Sequence, residues 1–352
     1  MLPQTNLWAL SGKISGIPTH LDWVLVIAML TTSLLLFSAP LTAVYVGKLK
    51  SLFGHGARRN MQCVPGQVPT HAKGPDCKVI ASERKAFDAG LPLTEILVPV
   101  CKCGDIAISG EAQQKFLRAY NTYGLCVLSC DTSETCDLRE LKDLFGSIVP
   151  HEFADSDGRV FLDPQAERAS NNVRDTEAEH QVHTDETYTD AFGKIITLQC
   201  DIAASEGGES VVISGKMMHD MAQQRLTECE MAALRAPCLS VGRALPGSKI
   251  HCCTFPIFGS SGSHVQVRYR SQDPYVSSTT QEASPGYRFC EDFVKTEDYR
   301  LTVKLQPGQV LVMDNTAVLH GRLPFPPQQR RRFIRINYFN DGTLSSQLNS
   351  GF

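Results

Sequence analysis

The sequence predicts a mainly β domain, a sandwich or barrel with α-helices packed against its outside. Short apolar stretches separated by turn residues run from residue 194 toward the C-terminus, whereas helical spacing of apolar residues is concentrated earlier. Runs of strands with segregated helices favour this architecture. The chain shows neither βαβ alternation nor a phosphate-cradling glycine loop, so a nucleotide-binding fold is not expected.

The predicted strands are apolar or alternating segments bounded by turn residues. They are "LCVLSC" (125–130), "KIITLQCDI" (194–202), "ESVVISG" (209–215), "HVQVRYR" (264–270), "RLTVKL" (300–305), "QVLVMDN" (309–315) and "RFIRINYF" (332–339).

Helices are predicted in three segments. Residues 111–124 have helical apolar spacing and end at Gly124, residues 137–148 form an amphipathic pattern, and residues 216–235 read as one further helix.

The N-terminal region differs in composition from the rest of the chain. After a short polar stretch (1–22), residues 23–46 contain no charged side chain, a length that suffices to span a bilayer. Lysines and arginines follow this segment, so we expect a single-pass membrane anchor with the bulk of the chain facing the cytoplasm. A signal peptide cleaved near "PLTA" is the alternative. Residues 47–90 read as a linker, and residues 91–352 as the globular domain.

Composition excludes some classes of partner. The chain has 352 residues, 42% of them hydrophobic, and a formal net charge of −3. A sizeable core is therefore expected, and nothing in the charge balance points to nucleic acid.

Thirteen cysteines without regular spacing favour a reducing compartment with mostly free, buried thiols. Cys101 and Cys103 form a close pair and Cys252 is adjacent to Cys253, but no second pair stands at ligand spacing. The sequence therefore does not predict a structural zinc site.

Two separated motifs indicate a metal centre. "EAEHQVHTDETYTD" (177–190) places His183 and Asp185 on the same face of an extended segment, and "DNTAVLHGRLPF" (314–325) contains His320. Two histidines and one carboxylate form a facial triad, which leaves coordination positions open and suits non-haem Fe(II). Arg331 and Arg335 follow on a predicted strand, where an arginine can bind a carboxylate through two hydrogen bonds.

With these motifs, residues 117–341 resemble the taurine dioxygenase-like (TauD/TfdA) family of Fe(II)- and 2-oxoglutarate-dependent dioxygenases. "HTDETY" resembles its metal motif, "GGESVVISG" (207–215) the hairpin that follows, and "DNTAVLHGRLPF" its distal-histidine motif. The resemblance implies a double-stranded β-helix, the clavaminate synthase-like jelly roll.

The resemblance also implies roles for single residues. His183, Asp185 and His320 match the iron ligands. Arg331 matches the arginine that binds the distal carboxylate of 2-oxoglutarate, and the hydroxyl of Ser210 matches a second contact to this cosubstrate.

Strand alternation places Arg331, Phe333 and Arg335 on one face. Arg335 matches a position that binds an acidic group of the substrate in some members, which is weaker evidence than that for the ligands.

Four further positions carry weaker expectations. Arg270 is expected to line the substrate pocket or a solvated edge, and Asn172 to belong to a substrate lid or a plain polar loop. His180 is expected to face away from His183, because three residues separate them on a strand. Asn315 reads as a turn residue.

The sequence thus predicts an oxygenase that couples 2-oxoglutarate decarboxylation to hydroxylation or desaturation of a small molecule, such as a natural-product intermediate. Halogenation is disfavoured because halogenases of the family lack the carboxylate that Asp185 supplies. The alternatives are a carnitine-pathway hydroxylase acting on a trimethylammonium substrate, a zinc-dependent hydrolase with the same ligands, and a membrane-anchored binding module without activity.

Overall fold

Two facing β-sheets form the centre of the computed structural model, which describes residues 83–108, 110–132, 134–164, 176–244, 250–271 and 276–352. In chain order the strands are β1 (Leu97–Pro99), β2 (Leu125–Ser129), β3 (Val160–Leu162), β4 (His180–His183), β5 (Ile195–Ile202), β6 (Ser210–Ser214), β7 (Leu239–Ala244), β8 (Ile250–Phe255), β9 (Phe258–Ser261), β10 (His264–Val267), β11 (Val276–Thr279), β12 (Leu301–Val303), β13 (Gln309–Asp314), β14 (Val318–Arg322) and β15 (Arg332–Tyr338).

The larger sheet has the strand order β1-β2-β13-β5-β15-β3, and the smaller sheet has the order β12-β6-β14-β4. Apart from the parallel pair β1/β2, the neighbours in both sheets run antiparallel. Strands β11-β7-β8 and the hairpin β9-β10 form two further small sheets. This mainly β architecture with two sheets face to face confirms the predicted fold class.

The two main sheets share one apolar core. Leu198 and Leu311 from the larger sheet pack in the same cluster as Val212 and Val318 from the smaller one. Successive side chains of β6 point to opposite faces of the sheet: Val212 packs in this core, whereas Val211 and Ile213 pack in the cluster on the other face. That alternation is what a strand buried on both faces requires.

Helices cover the outer faces of the sheets. They are α1 (Glu111–Tyr123), α2 (Lys142–Phe145), α3 (Gly215–Arg225), α4 (Glu228–Arg235) and α5 (Ser284–Lys295), with short 3₁₀ turns at Leu93–Glu95, Cys103–Ala107, Leu138–Leu141 and Glu297–Tyr299. Helix α1 follows its prediction and ends at Gly124, which has a φ of 78°.

Two predicted helices are wrong in their extent. The segment 216–235 forms two helices because Thr227 caps α4 in a capping box with Glu230. The predicted helix at 137–148 is shorter, consisting of a 3₁₀ turn and one α-helical turn that ends at Gly146, where φ is 98°.

Most of the N-terminal expectations lie outside the described residues, including the predicted anchor at 23–46. Among the residues described, no helix is both long and apolar enough to cross a membrane. At the end of the predicted linker, Phe87 is buried in the shared core, and Arg84 forms a buried ion pair with Asp314 at 3.0 Å.

The cysteines follow the expectation of mostly free thiols with one difference. Cys103 and Cys136 are joined as a disulfide, while nine other described cysteines are free. The two partners lie far apart in the sequence, so their spacing gave no local signal for the bond.

Candidate active site

A pocket opens between the two main sheets and contains most of the residues that the sequence singled out. Its wall includes His183, Asp185, His320, Ser210, Arg270, Arg331 and Arg335. Asn172 lies outside the described residues.

His183 and His320 are brought together by strand register. His183 is the last residue of β4 and pairs directly with His320. His320 lies within the neighbouring strand β14. Asp185 follows two residues after β4, and all three side chains are at least nine-tenths buried. Nε2 of His183 lies 3.3 Å, and Nε2 of His320 lies 3.7 Å, from Oδ1 of Asp185.

These distances fit the ligands of one metal ion. Two adjacent ligands that each lie roughly 2.1 Å from a cation, at a right angle, are about 3 Å apart. A buried set of two imidazoles and one carboxylate suits a divalent transition metal. In the part of the chain described, His183, Asp185 and His320 form one of two such ligand groups, and the other consists of cysteines.

The hydrogen bond of His183 and the pKa of His320 both suit metal binding. Nδ1 of His183 lies 2.7 Å from the carbonyl oxygen of Gln181, so a proton on Nδ1 leaves Nε2 with its lone pair toward Asp185. Burial, and then the neighbouring His183, lower the pKa of His320 to about 3. Neutral imidazole is the form that binds metal ions.

The Asp185 carboxylate is oriented by its second oxygen. Oδ2 accepts hydrogen bonds from Arg335 Nη1 at 2.8 Å and from Asn337 Nδ2 at 3.0 Å, which leaves Oδ1 toward the histidines. Burial alone would raise the pKa of Asp185, but the charge of Arg335 holds it well below its usual value. Asp185 is therefore an ionised carboxylate with a fixed direction, as a metal ligand requires.

Asn315, which the sequence predicts only as a turn residue, holds the backbone around Asp185 in place. Oδ1 of the fully buried Asn315 accepts from the Asp185 amide at 2.8 Å. Its Nδ2 donates to the carbonyl oxygens of Asp185 at 3.3 Å and Gly193 at 2.8 Å. Asn315 thus ties the metal motif to the turn between β13 and β14.

The Glu186 side chain also fixes this segment, a role that the sequence alone does not predict. Glu186 adopts a φ of 57°, uncommon for a residue with a side chain, directly after Asp185. Its Oε2 accepts from the Gly193 amide at 2.7 Å and its Oε1 from Asn337 at 2.9 Å. Burial, and then the charge of Asp185, raise the pKa of Glu186.

The expectation for His180 is wrong. Its ring lies 4.4 Å from that of His183, centroid to centroid, and both line the pocket. The cause is a β-bulge: three residue steps on β4 match two on β14, so that His180 pairs with Arg322. An extra residue reverses the alternation and returns His180 to the face of His183.

Arg331 lies in the pocket as strand alternation predicts, whereas its neighbour Arg332 pairs with Asp201. The Arg331 side chain is 4% exposed, donates from Nε to the Gly208 carbonyl at 3.1 Å and lies over Phe333. No carboxylate among the described residues forms an ion pair with it. Burial, and then the charge of Arg322, lower its pKa to about 9, so it is still a cation at neutral pH.

Further arginines make the pocket strongly cationic. Arg243, Arg270 and Arg322 line it together with Arg331 and Arg335. Strand β10 ends at Val267, so Arg270 does not continue its alternation but forms an isolated bridge with His183. Arg243 pairs with Glu152 at 3.0 Å, outside the wall itself.

Comparison with known sequences identifies a family. The profile of the taurine catabolism dioxygenase TauD, TfdA family matches residues 104–337. A uridine-5'-phosphate dioxygenase of Amycolatopsis sp is 28% identical over 158 residues, which cover 42% of this chain. The match spans 57% of that enzyme, less than two thirds of its length.

Solved structures share the fold. The non-heme iron oxygenase OrfP in complex with Fe, succinate and (3S)-hydroxy-L-Arg has a TM-score of 0.52 at 17% identity, covering 67% of this chain and 83% of that one. OrfP with (3R,4R)-dihydroxy-L-Arg gives the same TM-score and coverage. At this identity the similarity concerns the fold alone.

Proposed function

The chain belongs to the taurine catabolism dioxygenase TauD, TfdA family, and on that premise we propose that it is an Fe(II)- and 2-oxoglutarate-dependent oxygenase that hydroxylates or desaturates a small, anionic biosynthetic intermediate. One observation carries the proposal. The donor atoms of His183, His320 and Asp185 converge in a pocket that also contains the buried Arg331, which has no carboxylate partner among the described residues.

His183, Asp185 and His320 would hold the iron. The chemistry that ferrous iron supplies when bound is the O2-dependent conversion of 2-oxoglutarate to succinate and CO2, coupled to oxidation of a substrate C–H bond. The protein contributes binding, orientation and exclusion of side reactions. Asp185 occupies one ligand position, which supports hydroxylation or desaturation over halogenation.

Arg331 would bind the distal carboxylate of 2-oxoglutarate. A buried guanidinium without an anionic partner carries an uncompensated charge, and a carboxylate that forms two hydrogen bonds with it removes that penalty. Ser210 lies on β6 at the same pocket wall and is buried, so its hydroxyl supports the same assignment.

The charge of the wall supports an anionic substrate. Arg243, Arg270 and Arg322 also line the pocket, besides Arg331, which would bind the cosubstrate, and Arg335, which orients Asp185. Arginines are suited to phosphate and carboxylate groups. The related Amycolatopsis enzyme is named for a phosphorylated nucleoside, which supports a phosphate-bearing substrate here. A trimethylammonium group would be repelled by such a wall, which disfavours the carnitine-pathway alternative.

A zinc-dependent hydrolase would need a general base beside the metal. Among the described residues that line the pocket, Glu186 is the carboxylate besides Asp185, but both of its oxygens already accept hydrogen bonds from Gly193 and Asn337. This engagement favours the oxygenase over the hydrolase.

An anaerobic titration of the full chain with Fe(II) and 2-oxoglutarate tests the proposal. We expect the weak visible charge-transfer band of the iron–2-oxo acid chelate in the wild type. Arg331→Gln should raise the 2-oxoglutarate concentration at half-saturation about a hundredfold, because it loses two charge-assisted hydrogen bonds. The exposed neighbour Arg330→Gln is the matched control and should leave it unchanged.

A folded protein that binds zinc but gives no such band would contradict the oxygenase assignment. Succinate release in the presence of nucleoside monophosphates, compared with the corresponding nucleosides, then tests the substrate charge. Equal stimulation by both would contradict the anionic substrate.

We also propose that residues 23–46 anchor the chain in a membrane, with residues 91–352 on the cytoplasmic side. The charge-free segment followed by basic residues supports this. Alkaline carbonate extraction of membranes, combined with the intact mass of the extracted chain, distinguishes an anchor from a cleaved signal peptide.

A further inference from the structure

A cluster of cysteines lies away from the pocket and plays no part in the proposed reaction. The sulfur atoms of Cys103, Cys130 and Cys136 lie within 4.8 Å of one another, and all three residues are buried. They come from three separate segments: the 3₁₀ turn Cys103–Ala107, the residue after β2 and the loop before the turn Leu138–Leu141.

We propose that in the reduced protein these three cysteines, with Cys101 as the fourth ligand, bind one structural zinc ion. Tetrahedral zinc takes four cysteine thiolates in sites of this kind. Cys101 stands two residues before Cys103, is exposed, and is free to complete the set.

The third sulfur favours a metal site over a simple disulfide. A disulfide between Cys103 and Cys136 accounts for two sulfurs, yet the Cys130 sulfur is placed 3.8 Å from that of Cys103. Two sulfurs that each lie about 2.3 Å from a tetrahedral zinc ion are separated by about 3.8 Å. The disulfide and the zinc site are thus alternative states of the same cysteines in oxidising and reducing surroundings.

The loop that carries Cys101 and Cys103 is already ordered by hydrogen bonds. The Asp105 carboxylate accepts from the amides of Cys101 and Lys102, each at 3.0 Å, and Glu140 accepts from the Gly104 amide at 3.0 Å. The bond from the Gly104 amide to Glu140 ties this loop to the segment that follows Cys136. A zinc ion at this junction would join the same segments.

The site is structural because it lies on the face of the larger sheet opposite the pocket. The Cys136 carbonyl accepts from Gln199 Nε2 at 2.6 Å. The preceding residue of β5, Leu198, lines the pocket, and successive strand residues point to opposite faces. Loss of the zinc should therefore lower stability without removing iron binding.

Cobalt(II) substitution of the full chain, purified anaerobically with reductant, tests the site. Thiolate ligands give intense near-ultraviolet charge-transfer bands that the histidine and carboxylate ligands of the pocket cannot produce. We expect these bands in the wild type and their loss in Cys130→Ser. Cys126→Ser, a buried cysteine of the same core outside the cluster, is the matched control and should retain them.

Cys101→Ser changes an exposed residue and is expected to fold. It should weaken the bands and accelerate metal loss to a chelator at least about tenfold. An unchanged spectrum would overturn Cys101 as a ligand. A folded, fully reduced wild type that gives no thiolate bands would overturn the zinc site, as would a Cys103–Cys136 disulfide found by mass spectrometry in protein purified from a reducing cytoplasm.

Discussion

Arg335 and Asp185 form a buried ion pair in which Nη1 lies 2.8 Å from Oδ2, the oxygen that faces away from His183 and His320. The resemblance places Arg335 at a position that binds an acidic group of the substrate in some members of the family. In the structure its partner is the carboxylate of the candidate metal site. The pair balances the Asp185 charge and fixes the direction of its other oxygen.

Replacing Arg335 should therefore destabilise the metal-free protein more than the metal-loaded one. Removing one partner of a buried ion pair costs about 3–5 kcal/mol, because it leaves an uncompensated charge. A divalent cation supplies a replacement charge. We expect Arg335→Gln to lower the melting temperature strongly without metal and less with Mn(II), measured by thermal unfolding.

Arg332→Gln is the matched control on the same strand. Arg332 pairs with Asp201 but is 39% exposed, and such pairs contribute about 0–1 kcal/mol. An equal loss for both variants, or a loss in Arg335→Gln that Mn(II) does not reduce, would contradict the role given to Arg335.

Asn315 should act as a positioning residue for Asp185. It makes one hydrogen bond to the Asp185 amide and one to its carbonyl, and it does not contact the donor atoms of the triad. Loss of such an outer contact lowers metal affinity about 10–100-fold. We expect Asn315→Ala to show this loss in an anaerobic Fe(II) titration.

Asn121→Ala serves as the control for Asn315. Asn121 is also buried and bonds to the backbone, donating to the Gln347 carbonyl at 2.8 Å, and neither residue lines the pocket. It should lose stability but keep the wild-type metal affinity. If both variants lose stability and neither loses metal affinity, Asn315 has no positioning role.

The residues of the candidate metal site could be predicted from the sequence because each lies in a short motif, and strand alternation correctly grouped Arg331 with Arg335. The missed features depend on contacts between distant segments. Asn315 bonds to a residue 130 positions earlier, and the bulge that turns His180 into the pocket arises from the register of β4 against β14.

Local signals were present in one case. The break between α3 and α4 is marked by Thr227 and Glu230, a Ser/Thr-x-x-Glu capping box that is visible in the sequence. The cysteine cluster had no such signal, because its ligand spacing arises only when the turn at Cys103–Ala107 meets the residues that follow β2.

Because His219 is buried, we expect the folded protein to lose stability in mild acid. His219 is 6% exposed and packs against Phe258 and Phe352. Burial lowers its pKa, an effect that Asp220 opposes and that Arg235 and Lys216 reinforce. The unfolded chain binds a proton near pH 6.5 that the folded protein does not, so stability should fall as pH drops below about 6.5.

His219→Gln should lessen this dependence. We expect the difference in unfolding free energy between wild type and variant to shrink as the pH falls from 7.5 toward 5.5. Urea denaturation at each pH measures this difference. The exposed His264→Gln should leave the slope unchanged. A constant difference between wild type and His219→Gln across this range would contradict the prediction.

Gly208 should control cosubstrate affinity by leaving room for Arg331. A Cβ atom at Gly208 would lie 3.0 Å from Cδ and 3.2 Å from Nε of Arg331, and the residue has a φ of 70°. Gly208→Ala should displace the guanidinium and raise the dissociation constant of 2-oxoglutarate about tenfold, while the Fe(II) affinity stays unchanged.

Gly262→Ala separates this contact from backbone strain, because Gly262 has a similar φ of 60° but nothing within 4 Å of the added Cβ. Both variants should lose about 1 kcal/mol of stability. If Gly262→Ala also weakened 2-oxoglutarate binding, or if Gly208→Ala did not, the crowding of Arg331 would not be the cause.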